Sequence, residues 1–152
     1  MKLVRDFAVL VTFIALPLLS GSAFSAEAAI GNIKIVKGDA YIVGAGQEIK
    51  AVAGASVAAG NLLKTGPGAS LGVIFKDNTV LSFGPDSTVT IDEYAYAPNQ
   101  GKLKFDATIS KGTVAYLSGA IGKMKPEVVT IKTPTGMVAV RGTHFVIKVD
   151  AE

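Results

Sequence analysis

The sequence predicts an all-β fold: a single domain of short antiparallel strands and hairpins, arranged as a sandwich, a roll or a short solenoid-like stack. Three observations carry this. From Ile33 onward apolar and polar residues alternate with period two, and turn residues interrupt them about every eight to twelve positions. The chain holds 17 glycines, too many for helices but suited to turns and bulges. The nearest thing to a helical stripe, "IKAVAGASVAAG", is broken by Gly54 and ends at Gly60.

The elements follow in order. Lys2 and Arg5 precede an uncharged apolar run from Phe7 to Leu19, and small residues with two Ala-x-Ala-like sites come next, which is the pattern of a secretory signal over residues 1–28, cleaved after Ser25 or Ala28. Residues 30–150 then form the domain. Strands are expected at Ile33 to Lys37, Ala40 to Val43 and Leu62 to Thr65. "SLGVIFK" and "TVLSFG" flank Asp77 and Asn78, residue types that tolerate positive φ, so Ser70 to Gly84 reads as a tight hairpin. "STVTID" places Val89 and Ile91 on one face, and "KLKFDATI" does the same with Leu103, Phe105, Ala107 and Ile109. "YAPNQG" reads as a loop between the two halves. Further strands are expected at Thr113 to Leu117, Val128 to Thr133, Met137 to Arg141 and Thr143 to Val149, the last with Phe145, Ile147 and Val149 inward and His144 and Lys148 outward.

Composition narrows the chemistry. With no cysteine there are no disulfides, no thiol chemistry and no cysteine metal site, and stability must come from packing and sheet hydrogen bonds. The formal net charge is +3, and apart from Lys123 and Lys125 the cations are scattered singly, which argues against nucleic acid as a partner. One histidine without cysteine argues against zinc. Asp92 with Glu93 supplies oxygen ligands but no calcium loop, and reads as a solvated strand edge. Serines such as Ser110 lack any nucleophile motif, and "GPG" at Gly66 to Gly68 is a turn without the Lys-Ser/Thr ending of a phosphate cradle. No cofactor, metal or catalytic residue is expected.

The stretch "TPTGMVAVRGTHFVI" is the richest in chemistry. Arg141 could grip a carboxylate or phosphate through two parallel hydrogen bonds. The alternative is structural, with Gly142 letting the chain bend, Arg141 paired to an acidic or backbone partner and Thr143 tying the turn.

Taken together, "GNIKIVKGDAYIV", "VAAGNLLKTGPGASLGVIFKDNTVLSFGPDSTVTI", "ISKGTVAYLSG" and "VVTIKTPTGMVAVRGTHFVIKV" resemble the FecR domain, the periplasmic domain of iron-dicitrate-type cell-surface signalling regulators. The motif positions are Thr133, Pro134, Val140, Arg141, Gly142, Thr143 and Phe145, with Gly60 and Thr65 in the earlier Gly-Asp-x-Ile-x-Thr element, where Asn61 replaces Asp, and Asp77 in the Asp-Gly-Ser turn, here Asp-Asn-Thr. In the regulators this resembles, a cytoplasmic segment that restrains a sigma factor precedes a transmembrane helix; six residues precede the apolar run here, so the expectation is a stand-alone exported domain, periplasmic or secreted. The resemblance implies a non-enzymatic protein that binds a protein partner in the cell envelope, with a role in signal sensing or transduction. The alternative is a module for envelope polysaccharide or peptidoglycan; Tyr94 and Tyr96 are then the clustered aromatics available for a glycan. The terminal strand from Thr143 to Val149, if at a sheet edge, is the expected partner surface.

Overall fold

The computed structural model describes residues 27–141 and 144–151; most of the expected signal sequence, and Gly142 and Thr143, lie outside the described residues. The strands are β1 (Ala29–Lys37), β2 (Ala40–Gly44), β3 (Gln47–Lys50), β4 (Ser56–Ala58), β5 (Leu62–Thr65), β6 (Ser70–Phe75), β7 (Val80–Phe83), β8 (Thr88–Ala97), β9 (Lys102–Leu117), β10 (Val129–Thr133), β11 (Gly136–Ala139) and β12 (His144–Val149), with one short helix, α1 (Ala120–Met124), between β9 and β10. The domain is all-β, as the alternation predicts.

Strand β9 organises the rest. Its first part, up to Lys111, pairs with β8 on one side and β10 on the other. Its last part, Gly112 to Leu117, pairs with β7 and β12. Two ladders therefore share one strand. The first runs β4, β1, β6, β7, β9, β12; the second runs β3, β2, β5, β8, β9, β10, β11. The chain changes ladder at Gly112, whose φ of +96° lies in the region that only glycine enters without strain.

The inward faces of the two ladders meet as one core. Leu71, Val73, Phe75, Leu81, Val114 and Tyr116 come from the first, and Leu63, Val89, Ile91, Phe105, Ile109 and Ile131 from the second. Alternation explains why these residues share a face, since successive strand side chains point to opposite sides. A run of aromatic contacts threads the core: Tyr94 to Phe75 at 5.5 Å, Phe75 to Phe105 at 5.2 Å, Phe105 to Tyr116 at 5.7 Å and Tyr116 to Phe145 at 4.9 Å between ring centroids. Such pairs contribute about 0.5–1.5 kcal/mol each beyond the area they bury.

Several details differ from the sequence reading. The segments Lys102 to Ile109 and Thr113 to Leu117 are one 16-residue strand, because Gly112 bends the strand without ending it. The β6–β7 connection is four residues long, Lys76 to Thr79: Phe75 N–H donates to the Thr79 carbonyl at 2.9 Å, Asn78 N–H donates to the Phe75 carbonyl at 2.9 Å, and Asn78 has φ +66°. Strand β8 runs on through Tyr94 and Tyr96 to Ala97, so only the end of "YAPNQG" is a loop. Strand β10 lies parallel to β9, because the chain leaves the far end of β9 and crosses back through α1 before pairing.

Candidate functional site

Three groups of residues bear on function: two polar ties that hold the ladders together, and the open side of the curled sheet where the last three strands meet.

The first tie is the corner at the β9 bend. Thr65 Oγ1 donates to the Gly84 carbonyl at 2.6 Å and accepts from Ser87 N–H at 2.9 Å. Ser87 Oγ in turn accepts from Thr113 N–H at 3.1 Å and donates to the Gly84 carbonyl at 2.9 Å. The end of β5, the turn before β8 and the bend of β9 are thus locked by two hydroxyls. Gly60, at φ +84°, turns the chain into β5, and its N–H donates to the Ile91 carbonyl at 2.6 Å.

The second tie centres on Asp77, which is only 1 % exposed. One carboxylate oxygen accepts from Thr79 N–H at 3.2 Å and from the Tyr94 hydroxyl at 2.9 Å. The other accepts from Thr79 Oγ1 at 2.7 Å and from Ile121 N–H at 3.1 Å. Its carbonyl accepts from Ala120 N–H at 2.7 Å. A loop residue thereby fastens the β6–β7 hairpin to β8 and to the first turn of α1. Gly119 completes the fit, because a Cβ there would lie 2.2 Å from Thr79 N and 2.3 Å from the Asp77 carbonyl oxygen.

Tyr94 is the titrating member of this tie. Burial, and then the negative charge of Asp77, push its phenol well above the ordinary value. The folded state therefore holds this proton more tightly than the unfolded chain. That stabilising contribution is complete below the unfolded phenol pKa of about 10 and is lost as pH rises through the folded value. Burial also raises the Tyr116 phenol. Urea unfolding at a series of pH values is expected to show stability falling above pH ~10 by up to about 1.4 kcal/mol per pH unit for each such phenol. In Tyr94→Phe that fall becomes shallower; an unchanged slope would remove Tyr94 from the account.

The third group is the stretch from Thr133 to Val149. Thr133 and Gly136 are paired across the β10–β11 hairpin, with Pro134 in its two-residue turn, and Thr133 Oγ1 donates to the Gly136 carbonyl at 3.0 Å. Val140 is buried in the core. Phe145 stacks on Tyr116 with its neighbours Ile147 and Val149 packed against the core, while His144 and Lys148 are exposed. Arg141 is exposed and lines a cleft of about 600 Å³ with Lys123, Glu127 and Val140. Among the described residues no ion pair is formed by it. A second cleft of about 640 Å³ opens near the hairpin turn, with Thr133, Pro134 and Val138 on one side and Ile147 and Val149 on the other.

Two strand edges border the second cleft. Among the described residues β11 pairs only with β10, and β12 pairs only with β9. All four residues of β11 are exposed, Met137 at 71 %. The remaining sequence candidates are dispersed. Asp92 accepts from Thr108 Oγ1 at 2.6 Å, and Tyr94 is turned into the aromatic core, so only Tyr96 of that pair keeps an exposed ring. No helix among the described residues is long and apolar enough to cross a membrane.

Sequence reading placed Asp77 only in a turn and overlooked its partners Thr79, Tyr94 and Gly119. The Asp-Asn-Thr spacing was the available signal, since an aspartate at a turn accepts from the backbone two residues on.

These features define an all-β domain whose polar motif residues brace its corners and whose final strands, among the described residues, leave open edges. The family model described as FecR protein matches residues 61–152, and the chain belongs to the FecR family, a family of non-enzymatic signalling-regulator domains. No curated protein and no solved structure matched the chain.

Proposed function

We propose that this chain is an exported, non-enzymatic FecR-domain protein of the cell envelope that binds a protein partner by strand addition at the open edges of β11 and β12, contributing to envelope signalling. The signal-like pattern over residues 1–28 supports export. The observation that carries the binding mode is the pair of single-partner edge strands flanking a shared cleft, into which Val138 and Ile147 both face. An unpaired edge offers a row of backbone donors and acceptors to an incoming strand, and side-chain pockets beside it supply specificity. Natural edge strands are commonly blunted by charge; β11, "GMVA", carries none.

A photo-crosslinking residue at Val138, introduced into the full chain in its native cells, is expected to capture a protein of the envelope, with the adduct mapping to an extended segment. Capture of glycan alone would overturn this reading.

A further inference from the structure

The cleft beside Arg141 holds charges that strand addition does not use. Lys123 comes from α1, Glu127 from the turn that follows it, and Arg141 from the chain leaving β11. All three line one cleft of about 600 Å³, yet both cations stay beyond ion-pair distance of the Glu127 carboxylate. The local chain explains part of this. Lys123 and Glu127 are four residues apart, but α1 ends at Met124 and Pro126 starts a separate turn, so the pairing available along a continuous helix is lost. Each charge is left available to a ligand.

Buried hydroxyls lie against the same cleft. Ser118 lines it and is only 5 % exposed. Its hydroxyl donates to the carbonyl of the next residue, Gly119, at 3.4 Å, which is long for an O–H donor. The Tyr116 hydroxyl is buried and has no partner among the described residues. A Cβ on Gly122 would collide with Ser118 Oγ and come within 3.1 Å of the Tyr116 hydroxyl, so the glycine is what leaves space beside both groups. Buried hydroxyls are ordinarily matched, and an entering acceptor would match Ser118. Pro126 and Val140 add apolar surface, and the volume lies within the roughly 300–1,000 Å³ of small-molecule sites.

Charge selects the ligand. A simple anion would suit Arg141 and Lys123 but meet Glu127, and a simple cation would meet two like charges. A molecule with a carboxylate and an ammonium group satisfies all three. Arginine grips a carboxylate through two parallel hydrogen bonds, and lysine adds a point charge. Two or three residues of extended peptide separate their charged ends by about 7–10 Å at ~3.3–3.6 Å per residue, which leaves a side chain between them to cover Pro126 and Val140. We infer that this cleft binds a short zwitterionic peptide, its carboxylate held by Arg141, Lys123 and the Ser118 hydroxyl and its ammonium group by Glu127. The cleft lies at the opposite end of β11 from the hairpin turn, and the inference does not rest on strand addition.

The test titrates a mixture of unprotected tripeptides with randomised side chains into the full isotope-labelled chain and follows the amide NMR signals. Saturable shifts are expected at Gly122, Lys123, Glu127 and Arg141. Binding is expected to weaken about tenfold or more when the same mixture is acetylated at its amino ends or amidated at its carboxyl ends. Glu127 and Arg141 are exposed, so Glu127→Gln and Arg141→Gln are expected to keep the remaining spectrum. Glu127→Gln should no longer distinguish free from acetylated peptides, and Arg141→Gln should bind free and amidated peptides more nearly alike. No shifts with the unprotected mixture would overturn the inference. So would equal binding of the acetylated mixture, discrimination unchanged in Glu127→Gln, or shifts confined to β11 and β12, which would mean that the peptides add as strands.

Discussion

Gly112→Ala is expected to be among the most damaging additions of a single methyl group anywhere in the domain, lowering stability by about 3–5 kcal/mol in urea unfolding. Two costs add. At φ +96° any L side chain is strained by roughly 1–2 kcal/mol. The new Cβ would also sit 2.2 Å from Ser87 Oγ and 2.4 Å from Ser87 Cα, so the Ser87 backbone must move, and with it the hydrogen bonds to Thr113, Gly84 and Thr65. Gly46→Ala separates the two costs. Gly46 has φ +73°, and a methyl group added there would meet no atom within 4 Å, so it suffers the backbone strain alone, about 1–2 kcal/mol. Equal losses in the two variants would mean that the β9 corner is loose and that the ladders are not joined there as described.

Asp77→Asn should produce the second large loss, about 2–4 kcal/mol. The amide keeps the shape of the carboxylate, but one of its two heads can no longer accept. Either Thr79 Oγ1 and Ile121 N–H or Thr79 N–H and the Tyr94 hydroxyl then face a donor instead of an acceptor. Leaving a buried donor unmatched costs the full desolvation of that group, and the original bonds were strengthened by charge. A double-mutant cycle with Tyr94→Phe is expected to give a coupling of about 0.5–3 kcal/mol. Additive losses would show that the hairpin, β8 and α1 are not fastened through this carboxylate.

Both predictions concern positions whose importance was only partly visible in the sequence. Alternation reveals the strands wherever one face is buried and the other wetter, as in β5, β6 and β12. It was silent for β3, whose four residues are all exposed, and for β4, three residues long. The segments on either side of Gly112 read as separate strands because glycine interrupts the pattern; what keeps the strand continuous is its partners on both sides, contributed by residues far away in sequence. The tie at Asp77 was hidden for a related reason. Thr79 is near in sequence, but Tyr94 and Ile121 reach the same carboxylate from 17 and 44 residues away. The motif residues Thr65, Val140 and Phe145 were legible as a set through the family resemblance, and the structure adds what each touches. Arg141 lies exposed at a cleft.

Among the described residues the first ladder ends in an open edge at β12. Residue-resolved hydrogen exchange on the free protein tests it most directly. An edge strand directs alternate N–H groups to its one neighbour and the others to solvent. Alternating slow and fast exchange is expected from His144 to Val149, against uninterrupted protection along the Thr113 to Tyr116 part of β9, which has neighbours on both sides. Uniform slow exchange along β12 would show its outer edge already covered and would contradict the account.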